Sequence, residues 1–229
     1  MREIVLDTET TGLFPEQGDR LVEIGCVELL NRFPTGQTFH CFINPERDVP
    51  AEAFAVHGLS TEFLADKQTF PGVADAFLDF IGEAPLVIHN AAFDIGFINA
   101  ELGRLSRPPV ERHRLIDTLL LARRKHPGKN SLDDLCARYG VDNARRTKHG
   151  ALLDAELLAE VYIELIGARQ AQLVLGETRA AAAGQAEMVR RQRPQALASR
   201  VSDAERAAHA GFVATLGDKT IWKDYGEAG

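Results

Sequence analysis

An apolar run close to the start of the chain, Ile4-Val5-Leu6, leads directly into Asp7-Thr8-Glu9-Thr10-Thr11-Gly12. Residues 2–7 read as a buried strand. Strand side chains alternate with period two, so Asp7 and Glu9 project from the same side and aim two anions at one point. Neighbouring carboxylates repel and shift each other's pKa unless something positive sits between them, which makes a divalent cation the natural resident. Taken alone, such a pair is more often a strand end whose charges flank a turn.

The rest of the chain builds a layered sheet around that strand. Residues 21–30 read as a second strand and 38–43 as a third. The turn residues from Asn31 to Gly36 are at hairpin length, which makes strands two and three antiparallel. Short helical pieces follow from Pro50 to Gly82, ending in Val73, Ala74, Phe77, Leu78, Phe80 and Ile81 at helical spacing. A fourth strand spans 85–89, a helix 93–105, and a fifth strand 114–116, with Asp117 as cap of the next helix. Ser131 caps a helix over 132–139 that Gly140 ends, and residues 151–166 carry a long apolar stripe. This mixed alternation implies an α/β class.

At 229 residues the chain suits one domain with an appendage. The domain is expected over 1–169, a linker over 170–198 and a tail over 199–229. Arg179 to Gln195 is rich in Ala, Gln, Arg and Gly, as a linker would be. Ser202-Asp203-Ala204-Glu205 then has the form of a capping box, opening a helix through Leu216. A formal charge of −7 argues against a grip on long duplex, so any nucleic-acid contact should be local. Cys26, Cys41 and Cys136 lack metal or redox spacing and read as core residues. With no apolar signal region and no stretch of membrane-spanning length, the expectation is a soluble, cytoplasmic protein that contacts no membrane.

Two further positions can join the acidic pair. Asp94 lies just past the fourth strand, and strand ends in open sheets are where sites assemble. Asp154 falls in the first turn of the long helix at 151–166, where it is held rigidly, and His149 precedes it in a loop. This offers a fixed metal ligand and a mobile base, although a lone His beside Arg145, Arg146 and Lys148 is usually just solvated.

Together, Asp-x-Glu, Asp and His-x4-Asp resemble the active-site quintet of the DEDD exonucleases, histidine subclass. Longer runs extend the likeness over roughly residues 2–167: Asp-Thr-Glu-Thr-Thr-Gly, Ala-Phe-Ala-Val-His-Gly, His-Asn-Ala-Ala-Phe-Asp-Ile-Gly-Phe and Lys-His-Gly-Ala-Leu-Leu-Asp-Ala. These are similar to the proofreading (epsilon) family of bacterial DNA polymerase III. The resemblance implies a ribonuclease H-like mixed five-stranded sheet flanked by helices, with a flexible C-terminal tail. It also implies a 3′-to-5′ exonuclease that trims a single-stranded or frayed 3′ DNA end to mononucleotides. Two divalent ions, Mg²⁺ or Mn²⁺, are then expected on Asp7, Glu9, Asp94 and Asp154, with Asp7 bridging and His149 as general base. Asp7, Glu9, Glu52, His57 and Asp154 would contact substrate, and Leu13 and Phe93 would offer apolar faces to the last bases.

Gln170-Ala171-Gln172-Leu173-Val174-Leu175 loosely resembles sliding-clamp-binding peptides, with Gln170, Leu173 and Leu175 as anchors, but ends in Leu where an aromatic is common. In the epsilon family the tail, which here holds Trp222, docks the polymerase catalytic subunit. The competing expectation keeps the chemistry and trims RNA, as ribonuclease T and oligoribonuclease do.

Overall fold

The computed structural model describes residues 1–144, 146, 148–168 and 201–216. The chain divides into two units, Met1–Leu173 and Val174–Gly229. In the first, the elements are β1 (Arg2–Thr10), β2 (Leu21–Leu30), β3 (Phe33–Phe42), α1 (Ala51–His57), α2 (Thr61–Leu64), α3 (Phe70–Ile81), β4 (Leu86–Ile88), α4 (Ala91–Arg104), β5 (Leu115–Asp117), α5 (Thr118–Lys125), α6 (Leu132–Tyr139) and α7 (Ala151–Leu165). The described part of the second unit is one helix, α8 (Asp203–Thr215), which opens on the expected capping box of Ser202 and Glu205.

The five strands form one sheet in the order β3-β2-β1-β4-β5. The β1–β2 and β2–β3 pairs are antiparallel, whereas β4 runs parallel to both β1 and β5. Because β1 is central, its two faces feed two separate cores. Ile4 and Leu6 pack with Phe70, Phe77, Phe97 and Ile98 from α3 and α4. Val5, Val27 and Val87 pack with Leu135, Leu158 and Tyr162 from α6 and α7. The alternation that sends Val5 toward α7 therefore sends Asp7 and Glu9 the same way, while Thr8 turns toward α4.

Three boundaries differ from the sequence expectation by two residues or more. β1 does not stop at Asp7; it continues to Thr10, which pairs with Leu21, so the acidic pair sits within the paired strand. β3 begins at Phe33 rather than Thr38. Only Asn31 and Arg32 form the turn, with φ of 53° and 72°, the left-handed pair that a two-residue hairpin needs. Pro34 is tolerated in β3 because that strand lies at the sheet edge. α4 starts two residues early, at Ala91, because the Asp117 carboxylate accepts the Ala91 N–H at 3.1 Å while capping α5 through Leu120 N–H at 3.1 Å. All three cysteines are free, with Cys26 and Cys136 buried and Cys41 half-buried. Among the described residues, no helix is long and apolar enough to cross a membrane.

Candidate active site

Asp7 and Glu9 of β1, Asp94 of α4, His149 and Asp154 of α7 all line one cavity of about 670 Å³. Each carboxylate rides on a regular element. Asp94 and Asp154 occupy the first turns of their helices, where the helix dipole favours an anion. Thr8 donates its hydroxyl to Asp94 Oδ1 at 2.7 Å, tying α4 to the strand between the two acids of β1. His149 stands apart from this rigid set. Its side chain is 49% exposed, and its loop is held to α1 by the His149 N–H donating to Val56 O at 3.2 Å.

The close approach of α7 to β1 has one cause in the sequence. Gly25 pairs with Asp7 across β1–β2, and a Cβ there would lie 2.2 Å from Ala151 C and Leu152 N. Only glycine lets the first turn of α7, with Asp154, settle onto the sheet beside the acidic pair.

The electrostatics are those of a cation site. Burial, followed by the charges of Asp94, Glu9 and Asp154, raises the Asp7 carboxyl well above its ordinary value. Burial, with Asp154, Glu23 and Asp94, pushes Glu9 up to about 8. Burial also raises Asp94, against the opposing bond from Thr8. Oxygens of Glu9 and Asp154 and a ring nitrogen of His149 all lie within 4.8 Å of one another. The carboxylate oxygens of this cluster fit a hard divalent ion, which would relieve the repulsion that the protein alone leaves in place.

These shifts fix a sign for pH dependence. Glu9 titrates near 4.5 in an unfolded chain and near 8 in the fold, so between these values the folded state binds more protons and stability falls as pH rises. The metal-free protein should melt at a lower temperature at about pH 8 than at about pH 5, and a saturating divalent metal should remove that decline. A melting temperature independent of pH in chelator would contradict this.

Glu52 and His57, from opposite ends of α1, also line the cavity, as do Leu13 and Phe93. His57 Nδ1 accepts the Leu59 N–H at 3.0 Å, and burial holds the ring below its ordinary pKa. The neutral ring therefore carries its proton on Nε2, which is buried without a hydrogen-bond partner among the described residues. Gln170, Leu173, Leu175 and Trp222 lie outside the described residues.

Sequence reasoning missed three contributors. Glu23 lies opposite Glu9 in the hairpin register, a position that follows once the register is known. Thr8 orients Asp94. Arg146, noted in the sequence only as a cation beside His149, has a side chain 7% exposed and bonded to Asp154.

The sheet order and the clustered carboxylates define a class. The family described as exonuclease matches residues 4–162. DNA polymerase III subunit epsilon of Rickettsia conorii is 57% identical over 174 residues, covering 74% of this chain and 76% of that protein. The Escherichia coli K12 subunit of the same name is 46% identical over 237 residues, covering 97% of each. Exonuclease X, solved with 5′-overhanging duplex DNA, superposes with a TM-score of 0.57 at 27% identity over 72% of this chain and 91% of that one. The nuclease domain of the DEDDh exonuclease 3′hExo shares the fold, with a TM-score of 0.61 at 18% identity over 73% and 92% of the two chains. The chain belongs to the exonuclease family and, within it, to the DNA polymerase III epsilon subunits.

Proposed function

We propose that this chain is a 3′-to-5′ exonuclease that hydrolyses the terminal phosphodiester of DNA and proofreads within the replicative DNA polymerase. One observation carries the reading: four carboxylates from a strand and two helix N-termini meet one accessible imidazole at a single cavity. The kinship with epsilon subunits favours DNA over the RNA-trimming alternative.

Asp7, Glu9, Asp94 and Asp154 would hold two divalent ions, Mg²⁺ or Mn²⁺, because all-oxygen ligands suit hard cations. Bound there, the ions would supply positive charge to the phosphoryl oxygens and the leaving oxygen. His149, exposed on its loop, takes the proton of the attacking water as general base. The Nε2–H of His57 and the carboxylate of Glu52 supply a donor and an acceptor for the terminal nucleotide. Leu13 and Phe93 supply apolar faces, and stacking of a base on an aromatic contributes about 1–3 kcal/mol. An acidic chain with so local a grip needs only the frayed end of a strand.

The relatives are named as subunits of DNA polymerase III, and on that ground a polymerase partner is carried over to this chain. We assign its docking to residues 199–229, in which Phe212 of α8 is 61% exposed and Leu216, just past its end, 44%. Residues 170–198 are read as a linker, with Gln170, Leu173 and Leu175 offered to a sliding clamp and Trp222 to the polymerase.

The test compares the chain with His149→Ala on single-stranded DNA, a mispaired primer end and RNA. The substitution should lower kcat by about 10²–10⁴-fold while Mn²⁺ binding persists. An unchanged rate would overturn the assignment of the base, and degradation of RNA with DNA left intact would restore the RNA-trimming reading.

A further inference from the structure

The side chain of Arg146 makes four bonds inside the candidate site. Its Nε and Nη2 donate to Asp154 Oδ1 and Oδ2 at 2.6 and 2.7 Å, a fork that takes both oxygens of the carboxylate. Nη2 also donates to His149 Nδ1 at 2.7 Å, and Nη1 to Asp133 Oδ1 at 2.7 Å. Arginine has donors only. His149 Nδ1 also lies 3.3 Å from Asp154 Oδ2, a longer contact than the 2.7 Å to Nη2, so Nδ1 accepts from the guanidinium, which commits its lone pair and leaves any proton of the neutral ring on Nε2. In this arrangement one guanidinium engages both the Asp154 ligand and the His149 base.

We propose that Arg146 is an internal stand-in cation: it holds Asp154 and His149 in the metal-free protein and is exchanged for the divalent ions when they bind. This rests on the metal-site reading above. Arg146 is a positioning residue, acting through Asp154 and His149. Two facts favour exchange over permanent residence. A doubly charged ion placed among Asp7, Glu9, Asp94 and Asp154 answers their mutual repulsion better than a delocalised single charge that bonds only Asp154 of the four. The second is the anchor. Asp133, on α6, is 57% exposed, so an Arg146 released from Asp154 keeps one partner at the solvent edge. The swing leaves no buried charge unpaired. Release also returns the Nδ1 lone pair of His149, so loading the metals and arming the base become one event.

If the latch is closed about nine-tenths of the time without metal, apparent metal affinity is reduced about tenfold. Titration of Mn²⁺ into the chelator-treated full chain, read by electron paramagnetic resonance, should show Arg146→Met binding Mn²⁺ about tenfold more tightly than the parent. Its metal-free form should melt lower, because Asp154 loses its partner. Equal or weaker Mn²⁺ binding by a folded Arg146→Met would overturn the latch. A parent chain that does not bind Mn²⁺ would instead overturn the metal-site reading beneath it. Should Arg146→Met fail to fold, the parent decides. The Nε–H proton of Arg146, assigned with Arg146→Lys, should be protected from exchange without metal and lose that protection with saturating Mg²⁺. Protection that persists in Mg²⁺ would refute the exchange.

Discussion

Replacing Asp7 with Asn should abolish nuclease activity, by on the order of 10³-fold or more, while raising the melting temperature of the metal-free protein. The two effects share one cause. Asp7 faces the cavity from the centre of the sheet, with Asp94, Glu9 and Asp154 all raising the cost of its charge. Asparagine keeps the shape and removes the charge, so the fold loses repulsion it otherwise carries. Each kcal/mol relieved raises the midpoint by about 2–4 °C in a chain of this size. On the proposed reading the same charge would draw a divalent ion, and losing several kcal/mol of transition-state stabilisation costs several powers of ten in rate. Paired melts in chelator and in Mg²⁺ check the prediction: the variant should be the more stable in chelator and gain less from metal. An Asp7→Asn protein less stable than the parent in chelator would show that the carboxylate is structurally supported rather than strained.

Gly25→Ala should be nearly as damaging, through packing alone. The added methyl would meet backbone atoms of Ala151 and Leu152 at 2.2 Å, and backbone cannot rotate aside as a side chain can. Relief requires α7 to lift from β2, against the apolar seam that Leu157, Leu158, Val161 and Tyr162 make with the sheet. A cost of about 3 kcal/mol or more is expected, lowering the midpoint by roughly 6–12 °C. Lifting α7 carries Asp154 away from Glu9, and a misplacement of about 1 Å can cost about 10²-fold in rate. Gly96→Ala on α4 is the control, since a Cβ there meets nothing within 4 Å and helical glycine disfavours the fold by about 1 kcal/mol relative to alanine. It should leave stability unchanged or improved. A Gly25→Ala protein as stable and active as the parent would mean that α7 does not rest on the sheet at this point.

Much of the site is legible along the chain because its residues sit on elements with strong local signals. β1 declares itself by an unbroken apolar run. Ser131 and Gly140 bracket α6 as read, and the stripe from Leu152 to Leu165 marks α7 and places Asp154 in its first turn. Other features carry no local signal. The hairpin turn is Asn31-Arg32 rather than a longer loop, because Arg32 accepts a left-handed backbone that its residue type disfavours. Its guanidinium lies over Tyr162 and pairs with buried Glu3, contacts to α7 and β1 that no window of sequence contains. Arg146 reads only as one cation of a basic loop until α6 and α7 bring Asp133 and Asp154 to its two sides.

What local chemistry decides here is the inventory: a strand with two acids on one side, two helices that each begin near an acid, and a histidine just before the second helix. Period two and helix capping act within a few residues, so they are written into the chain wherever the residues occur. Convergence is of another kind. Glu23 opposite Glu9, Gly25 beneath the first turn of α7, Thr8 reaching Asp94 and Arg146 forked onto Asp154 all depend on register and on the distance between layers. Those quantities are set by the two cores packed on either face of β1, and only the folded sheet turns five separate residues into one site.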